Sequence, residues 1–287
     1  MSASADELGA LRREIDEIDD RIHDLLMRRT DVVERIAVVK RQATGGPVFM
    51  RPGREAAILR RLLARHKGTL PRAVIARVWR ELISAYCRLE GPFSVAVLAP
   101  AKSVGYWDMA RRHYGSSTQM MLYRNVPQVL SAVTEGQGVL GILPVPQEGE
   151  SDPWWPHLGI GTGKLRIVMR LPFLLDDAGQ FEKVTALVVA AAEPEPSGDD
   201  ASYIAIANRD PMSRARLNEL LRKSGIDGHS VSSVPGSDAG GGEVHLIEAD
   251  GFIGPDDGRL AELIALSNNS VRQAASLGAY AKPVPLP

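Results

Sequence analysis

The sequence predicts a multidomain protein in which an all-α segment of three helices precedes an α/β segment and an α+β segment. Three amphipathic helical patterns and no strand-like run occupy residues 1–91, whereas short β-rich runs recur after residue 92. The length of 287 residues is enough for two or three cores, and 44% hydrophobic with 24% charged residues is typical of soluble globular proteins.

The first helical pattern covers residues 6–42 and carries apolar side chains at helical spacing from Leu11 to Val39. At a rise of roughly 1.5 Å per residue, a helix of this length is a rod of about 55 Å. Such a rod has too little of its own domain to pack against, so we expect a second chain to cover it. The pattern therefore predicts a homodimer.

Two shorter helices are expected to follow. The second begins at RPGREAAILRRLLARHK, after the helix-breaking stretch ATGGPVF. The third, PRAVIARVWRELISAYCRLEG, starts with a proline and stops at Gly91 and Pro92, which is the usual arrangement at helix ends.

Three cations on the first helix, Arg12, Arg29 and Lys40, admit two interpretations. Charged residues beside an apolar stripe usually belong to a solvated helix face. However, Arg29 and Lys40 differ by about 20° around the helix and by ~16 Å along it, so both could hold one small dicarboxylate. Arg12 is about 42 Å from Lys40 on the same rod and could serve that ligand only from a second chain.

The rest of the chain alternates strands and helices. Residues 92–192 contain two helical patterns between β-rich runs, which predicts an α/β lobe, and the Pro- and Ser-rich residues 193–202 read as a linker. Residues 200–287 follow the order β-α-β-β-α-β, which indicates a ferredoxin-like domain. The strand-like runs of the lobe are FSVAVLAP, GVLGILPV, LRIVMRLPFLL and VTALVVAAA.

Composition argues against several classes of function. A net charge of −1 gives no signal for nucleic-acid binding, and the six histidines lack the spacing of metal ligands. The single cysteine, Cys87, allows no intramolecular disulfide and is expected to be a buried thiol. No signal peptide and no apolar run of ~18 residues is visible, so we expect a cytoplasmic protein without membrane contact.

The helical segment resembles the all-helical class of chorismate mutases over residues 8–90, which predicts a mutase domain at 1–91. The spaced matches occur on all three helices. On the second they fall in MRPGREAAILRRL, and on the third they end at a terminal Gln/Glu position. The matching residues are Leu11, Arg12, Ile15, Ile18, Asp19, Arg29, Lys40, Arg54, Glu55 and Glu90.

The resemblance implies an active site without metal or cofactor. Arg29 and Arg54, with Arg12 from the partner chain, would hold the two carboxylates of chorismate, since guanidinium groups pair with carboxylates bidentately. Lys40 and a protonated Glu90 would donate to the ether oxygen of the breaking bond. Of these, Arg29, Lys40 and Glu90 are the predicted catalytic residues.

Three further positions bear on the same site. By the resemblance, Glu55 would meet the ring hydroxyl of the substrate. Tyr86 stands where many members carry a small residue, so it would either narrow the pocket or supply a hydroxyl. Gly53 replaces a common glutamate, which we expect to cost a surface ion pair and some helix propensity.

Residues 92–192 resemble the opening of prephenate dehydratases, with departures at the positions that carry the chemistry. AKSVGY stands where the family has Glu-Gly-Thr-Phe-Ser, and TALVV keeps Thr185 of Thr-Arg-Phe without the Arg and Phe. Only the eight residues 176–183, between LRIVMRLPFLL and VTALVVAAA, occupy the place of the family's second lobe. The resemblance therefore implies a degenerate single lobe without dehydratase activity.

Residues 200–287 resemble an ACT regulatory domain, although the elements that bind its effector read here as MSRARL and SSVP. The sequence as a whole predicts a homodimeric chorismate mutase of phenylalanine and tyrosine biosynthesis, which a neighbouring aromatic-pathway enzyme could join. Three alternatives stay open: a bifunctional mutase–dehydratase, a non-catalytic regulatory or docking protein, and a lyase relative acting on isochorismate.

Overall fold

A computed structural model describes residues 2–44, 50–99, 105–136, 138–161, 163–176, 184–236 and 242–286. The α-helices within them are α1 (Ser2–Thr44), α2 (Pro52–Arg65), α3 (Arg72–Glu90), α4 (Gly105–Tyr114), α5 (Val126–Glu135), α6 (Arg214–Lys223) and α7 (Gly258–Leu266). The strands are β1 (Ser94–Leu98), β2 (Gln119–Tyr123), β3 (Val139–Pro144), β4 (Arg166–Leu171), β5 (Leu174–Asp176), β6 (Ala186–Ala190), β7 (Asp200–Asn208), β8 (Gly228–Pro235), β9 (Glu243–Asp250), β10 (Val271–Ala281) and β11 (Val284–Leu286).

The first three helices form the helical domain, and the predicted fold class is confirmed. Helix α1 is unbroken over its length, and it packs on α3 near its C-terminal end, where Val33 and Ala37 are buried. Ala56 and Leu59 of α2 are buried toward the sheet. None of the helices in the described ranges is both long and apolar enough to cross a membrane.

Nine of these strands build one mixed sheet in the order β2-β1-β3-β6-β4-β10-β7-β9-β8, and β5 and β11 pair in parallel as a separate two-stranded sheet. Strand β1 is parallel to both β2 and β3, and helices α4 and α5 form the two crossovers. Met109 and Ala110 of α4 pack with α2 on one face, and Val129 and Val133 of α5 cover the other. Helices on both faces of the sheet are what the alternation of strand-like and helical patterns in the sequence predicts.

The C-terminal part of the sheet has the predicted ferredoxin-like topology. Its four strands follow the order β10-β7-β9-β8 with antiparallel pairing throughout. Strand β10 also pairs in parallel with β4, where Gly278 lies opposite Ile167. One sheet therefore runs through both C-terminal segments, and the domain limits 92–192 and 200–287 stay predictions.

Several strand assignments differ from the sequence-based expectation: the run LRIVMRLPFLL forms two strands, β4 and β5, β11 is additional, and β2 and β7 also differ. Strand β2 is absent from the prediction, because its five residues are only half-buried at the sheet edge and lack a strong apolar pattern. Strand β7 begins at Asp200, inside the predicted linker. The Asp200 carboxylate accepts hydrogen bonds from the backbone N–H of Ser197 and Gly198, which fixes the turn before the strand.

The helical domain joins the sheet through contacts between α2 and the segment before β7. Gly53 is buried, and a Cβ there would overlap the carbonyl oxygen of Glu195. Arg60 donates from Nη2 to the carbonyl oxygens of Asp199 and Lys282, each at 2.8 Å. Gly53 is therefore not at a surface position, as the expected loss of a surface ion pair assumes, because glycine permits this close approach; the expected cost in helix propensity stays a prediction.

Candidate active site

Helices α1 and α3 bring Lys40 and Glu90 together. The Lys40 Nζ donates to Glu90 Oε2 at 2.7 Å, with side-chain exposures of 28% and 18%. Fifty residues separate the two along the chain, so the pair forms only when the helices pack. A cation and a carboxyl group thus share one half-buried position.

Arg29 lies against Tyr86 on the same helix pair. Its guanidinium carbon is 4.1 Å from the centroid of the Tyr86 ring, a cation–π contact. The ring is buried, and its hydroxyl donates to the carbonyl oxygen of Leu26 at 3.3 Å. The Arg29 Nη1 is buried without a hydrogen-bond partner among the described residues, so a positioned donor is left for a ligand.

Glu55 is buried and engaged by a residue that the sequence reasoning missed. Arg80 of α3 donates from Nη1 to Glu55 Oε2 at 2.7 Å, and both side chains are almost fully buried. Burial raises the pKa of Glu55 to about 7, although hydrogen bonds from Arg80 and Cys87 oppose this shift. Glu55 can therefore hold or release a proton near neutral pH.

A sequence signal for Arg80 exists. Ala76, Arg80, Ile83 and Cys87 stand at positions i, i+4, i+7 and i+11 of α3, which is one face of a helix. An arginine on an otherwise apolar face is seldom buried without a partner. That position alone points to a buried carboxylate nearby.

The two other predicted arginines lie apart from this group. Arg54 is exposed on α2, next to Glu55 in sequence. Arg12 is exposed on α1 and, because that helix is continuous, lies about 42 Å from Lys40 along its axis. Within one chain, Arg12 and Lys40 cannot contact the same small molecule.

The electrostatics of the group favour anion binding over covalent chemistry. Burial raises the pKa of the Cys87 thiol, with Glu55 and Glu90 adding to the effect, so the sulfur stays protonated and is a poor nucleophile. Among the described residues there is no cluster of three or more His, Cys, Asp or Glu side chains that could hold a metal ion. The site offers cationic donors and two carboxyl groups.

Residues 11–91 match the chorismate mutase type II family. The helical domain is a chorismate mutase type II domain. The matched range spans the three helices and includes every predicted site residue, so the resemblance seen in the sequence is confirmed at the level of the family.

Curated proteins match this chain over more than the chorismate mutase type II domain. A bifunctional chorismate mutase/prephenate dehydratase of Pseudomonas aeruginosa is 28% identical over 194 residues, covering 64% of this chain and 53% of the relative. One of Aquifex aeolicus is 32% identical over 144 residues, covering 49% and 39%. The chain spans about half the length of the curated relatives it matches, and the first match extends beyond the mutase domain into the sheet.

Solved structures that resemble the chain are more distant. Prephenate dehydratase from Streptococcus mutans has a TM-score of 0.48 and 16% identity, covering 68% of this chain and all of that one (100%). Prephenate dehydratase from Arthrobacter aurescens in complex with L-Phe has a TM-score of 0.47 and 15% identity, covering 68% and 93%. Likeness at this distance assigns no function to the sheet.

Proposed function

We propose that the chorismate mutase type II domain rearranges chorismate to prephenate. The observation that supports this most directly is the buried Nη1 of Arg29, which has no hydrogen-bond partner among the described residues and lies on the same helix pair as the half-buried pair of Lys40 and Glu90. The reaction is unimolecular and pericyclic, so it needs no nucleophile or cofactor. A rigid cage that selects the compact conformer and stabilises charge on the ether oxygen is sufficient.

The proposed roles follow from the donors available. Arg29 and Arg54 hold the carboxylates of the substrate, and Tyr86 keeps the Arg29 guanidinium in place by stacking. Lys40 donates to the ether oxygen as negative charge develops there. Glu55, which is buried and has a pKa of about 7, forms a hydrogen bond with the ring hydroxyl of the substrate. No group in this scheme is consumed or covalently changed.

Glu90 has to change partners during this cycle. Without substrate it accepts a hydrogen bond from Lys40, as a carboxylate does. When the ether oxygen occupies the space between the two side chains, Glu90 can help only as a protonated donor.

A homodimer completes the proposed site. Apolar side chains along α1 stay about half exposed in one chain, for example Ile15 at 56% and Leu25 at 63%. A continuous stripe of this kind is stable in water only when another surface covers it. An antiparallel second α1 would both cover it and bring Arg12 to the partner's site. The exposed members of the stripe are Leu8, Leu11, Ile15, Ile18, Ile22, Leu25, Val32, Ile36 and Val39.

One experiment tests the activity and the dimer together. Arg12→Ala and Lys40→Ala are purified separately, mixed in equal amounts, refolded together and assayed for loss of chorismate. If Arg12 acts across the interface, each mixed dimer regains one of its two sites, so random pairing returns about a quarter of the wild-type activity. No recovery would contradict the shared site, and an inactive wild-type protein would reject the mutase function.

A bifunctional mutase–dehydratase is the second candidate. The similarity to relatives bearing that name extends into the sheet, which favours it. Against it stand the altered dehydratase motifs and the few residues, 177–183, between β5 and the segment leading to β6. Incubation with chorismate decides between them, because prephenate alone supports the mutase and phenylpyruvate supports the bifunctional enzyme. A cytoplasmic location and a neighbouring pathway enzyme as partner are likewise proposals.

A further inference from the structure

A cavity of about 320 Å³ lies where the mutase domain meets the sheet. It is bounded by the outer face of α3, by α4, and by the segment Pro172–Leu175 with Leu286. We call it the junction cavity. None of the predicted substrate-binding residues lines it, so it is separate from the site of Lys40 and Glu90.

The lining combines apolar walls with an excess of positive charge. Arg77 and Arg80 of α3 and Arg111 and Arg112 of α4 supply four guanidinium groups. Glu81 is the acidic residue of the lining, and its carboxylate accepts a hydrogen bond from the N–H of Ser116 at 3.3 Å. The apolar surface comes from Met109, Phe173, Leu174, Leu175 and Leu286.

The remaining titratable residue of the lining adds little positive charge. Burial lowers the pKa of His113 well below its ordinary value, with Arg80 contributing, so its ring is neutral at pH 7. Its Nε2 is buried and has no hydrogen-bond partner in the described part of the chain. The lining of the junction cavity therefore carries four arginines and one neutral histidine against a single glutamate, so positive charge exceeds negative charge.

Arg80 gives this cavity its strongest indication of a ligand. Its side chain is 4% exposed, and its Nη1 is taken by Glu55 on the inner side. The Nε and Nη2 are buried without a hydrogen-bond partner in the described ranges. Its guanidinium carbon lies 5.6 Å from the ring centroid of Phe173, a wall of the cavity. Both atoms are closed to water in the free chain, so a ligand reaches them only when the lining of the cavity shifts; an acceptor that does so recovers the free energy that unpaired buried donors cost.

We propose that the junction cavity binds a small organic carboxylate with an apolar body. Paired Nε and Nη2 donors match the two oxygens of a carboxylate, and the exposed Arg77 and Arg111 add attraction at the rim. The apolar side of the cavity, with Phe173 at its wall, fits a hydrocarbon or aromatic body. An inorganic anion would leave that apolar surface unused.

Arg80 also connects the cavity to the mutase site. This second part of the proposal rests on the proposed function. Arg80 holds Glu55, which senses the charge of Glu90, and Glu90 pairs with Lys40. A carboxylate bound to Arg80 shares its positive charge, so Glu55 keeps its proton to higher pH. Occupancy of the cavity therefore changes the mutase KM, with the substrate and the ligand coupled through one guanidinium group.

Binding is tested by titration calorimetry with 3-phenylpropionate as the probe and 3-phenylpropanamide, its neutral amide, as the comparison. The double variant Arg77→Gln/Arg111→Gln removes two rim charges, and Arg209→Gln/Arg222→Gln removes two exposed charges elsewhere. We expect the rim variant to bind the acid at least tenfold more weakly, the control variant to bind it as wild type does, and the amide not to bind. No binding of the acid, or equal binding by the rim variant, would overturn the proposal.

Two further measurements separate this site from the mutase site. The variant Arg29→Ala should keep wild-type affinity for 3-phenylpropionate, since the probe does not bind there. Loss of binding in Arg29→Ala would mean that the probe occupies the mutase site, which also overturns the proposal. The calorimetric result does not depend on turnover. If chorismate is converted and the probe binds, an unchanged KM at saturating probe would reject the coupling through Arg80.

Discussion

The Nζ of Lys40 and the Oε2 of Glu90 are 2.7 Å apart, so the C-terminal ends of α1 and α3 are joined by an ion pair at the proposed reaction centre. The pair is only partly exposed, which limits screening by solvent. Its two groups are the ones assigned to the ether oxygen. In the proposed mechanism, the substrate therefore has to separate Lys40 from Glu90 when it binds.

Replacing Lys40 tests its role as the donor that stabilises transition-state charge. We expect Lys40→Met to lower kcat/KM by about 10²–10³-fold, the usual cost of losing one such donor. Arg41→Met, at the exposed neighbouring position, is the matched control. Its kcat/KM should stay within about twofold of wild type, because Arg41 lies on a different side of the helix. Both are measured by the loss of chorismate absorbance, and equal effects would contradict a specific role for Lys40.

The second prediction concerns the protonation of Glu90. Only the protonated carboxyl group can donate to the ether oxygen, so the wild-type rate should fall as the pH rises. Glu90→Gln donates at every pH, so its profile should lose this decline and keep only the dependence that Glu55, with a pKa of about 7, contributes. The pH dependence of kcat is the measurement, and identical profiles for the two proteins would exclude Glu90 as the donor.

The spacing of apolar residues predicts those features of this protein that lie within a single helix or strand. The helix of α1, and with it the relation between Arg29 and Lys40, follows from spacing along a single rod. The pairing of Glu55 with Arg80 joins two helices, and no spacing within either one identifies the partner. The proton held by Glu55 depends on burial, which exists only after the helices pack against the sheet.

The same distinction applies to the sheet. The order β-α-β-β-α-β predicts a ferredoxin-like unit because all of its antiparallel pairing partners lie within the one segment that carries this order. The junction of β4 with β10 cannot be read from either strand, since it rests on Gly278 meeting Ile167 across more than one hundred residues. A Cβ at Gly278 would overlap the backbone of Ile167, which is why glycine stands there.

The third prediction follows from the raised pKa of Glu55. Folded, this group keeps its proton to about pH 7, against an ordinary value of 4.5, so the folded state binds more protons between those values. Its contribution to the free energy of unfolding therefore falls as pH rises through that interval. Arg80, Cys87 and Glu90 of α3 face the carboxyl group, and Tyr114 of α4 is close enough to sense its charge.

Urea denaturation between pH 5 and pH 8 measures this effect as a difference between variants. Glu55→Gln should lose the decline, whereas the exposed Glu262→Gln should keep it. His113 acts in the opposite direction, because its lowered pKa makes acid destabilising, but that contribution is common to all three proteins and cancels. If Glu55→Gln and wild type lose stability in parallel as pH rises, Glu55 is not protonated in the folded protein.

The fourth prediction concerns the contact that attaches the mutase domain to the sheet. Gly53→Ala would force its Cβ against the carbonyl oxygen of Glu195 and disturb the ion pair of Arg51 with the Glu195 carboxylate. Backbone cannot yield as a flexible side chain does, so we expect a loss of about 1–3 kcal/mol in the free energy of unfolding.

Gly9→Ala is the control for this substitution, because it also exchanges a glycine for alanine within a helix. The nearest atom to a Cβ at Gly9 is the Nη1 of Arg13 at 3.8 Å, an ordinary contact with a mobile side chain. Alanine is favoured there by about 0.5–1 kcal/mol through its helix propensity alone. Opposite signs for the two variants in urea denaturation would locate the close approach at Gly53, and a stabilised Gly53→Ala would show that the segment around Glu195 does not pack on α2 in solution.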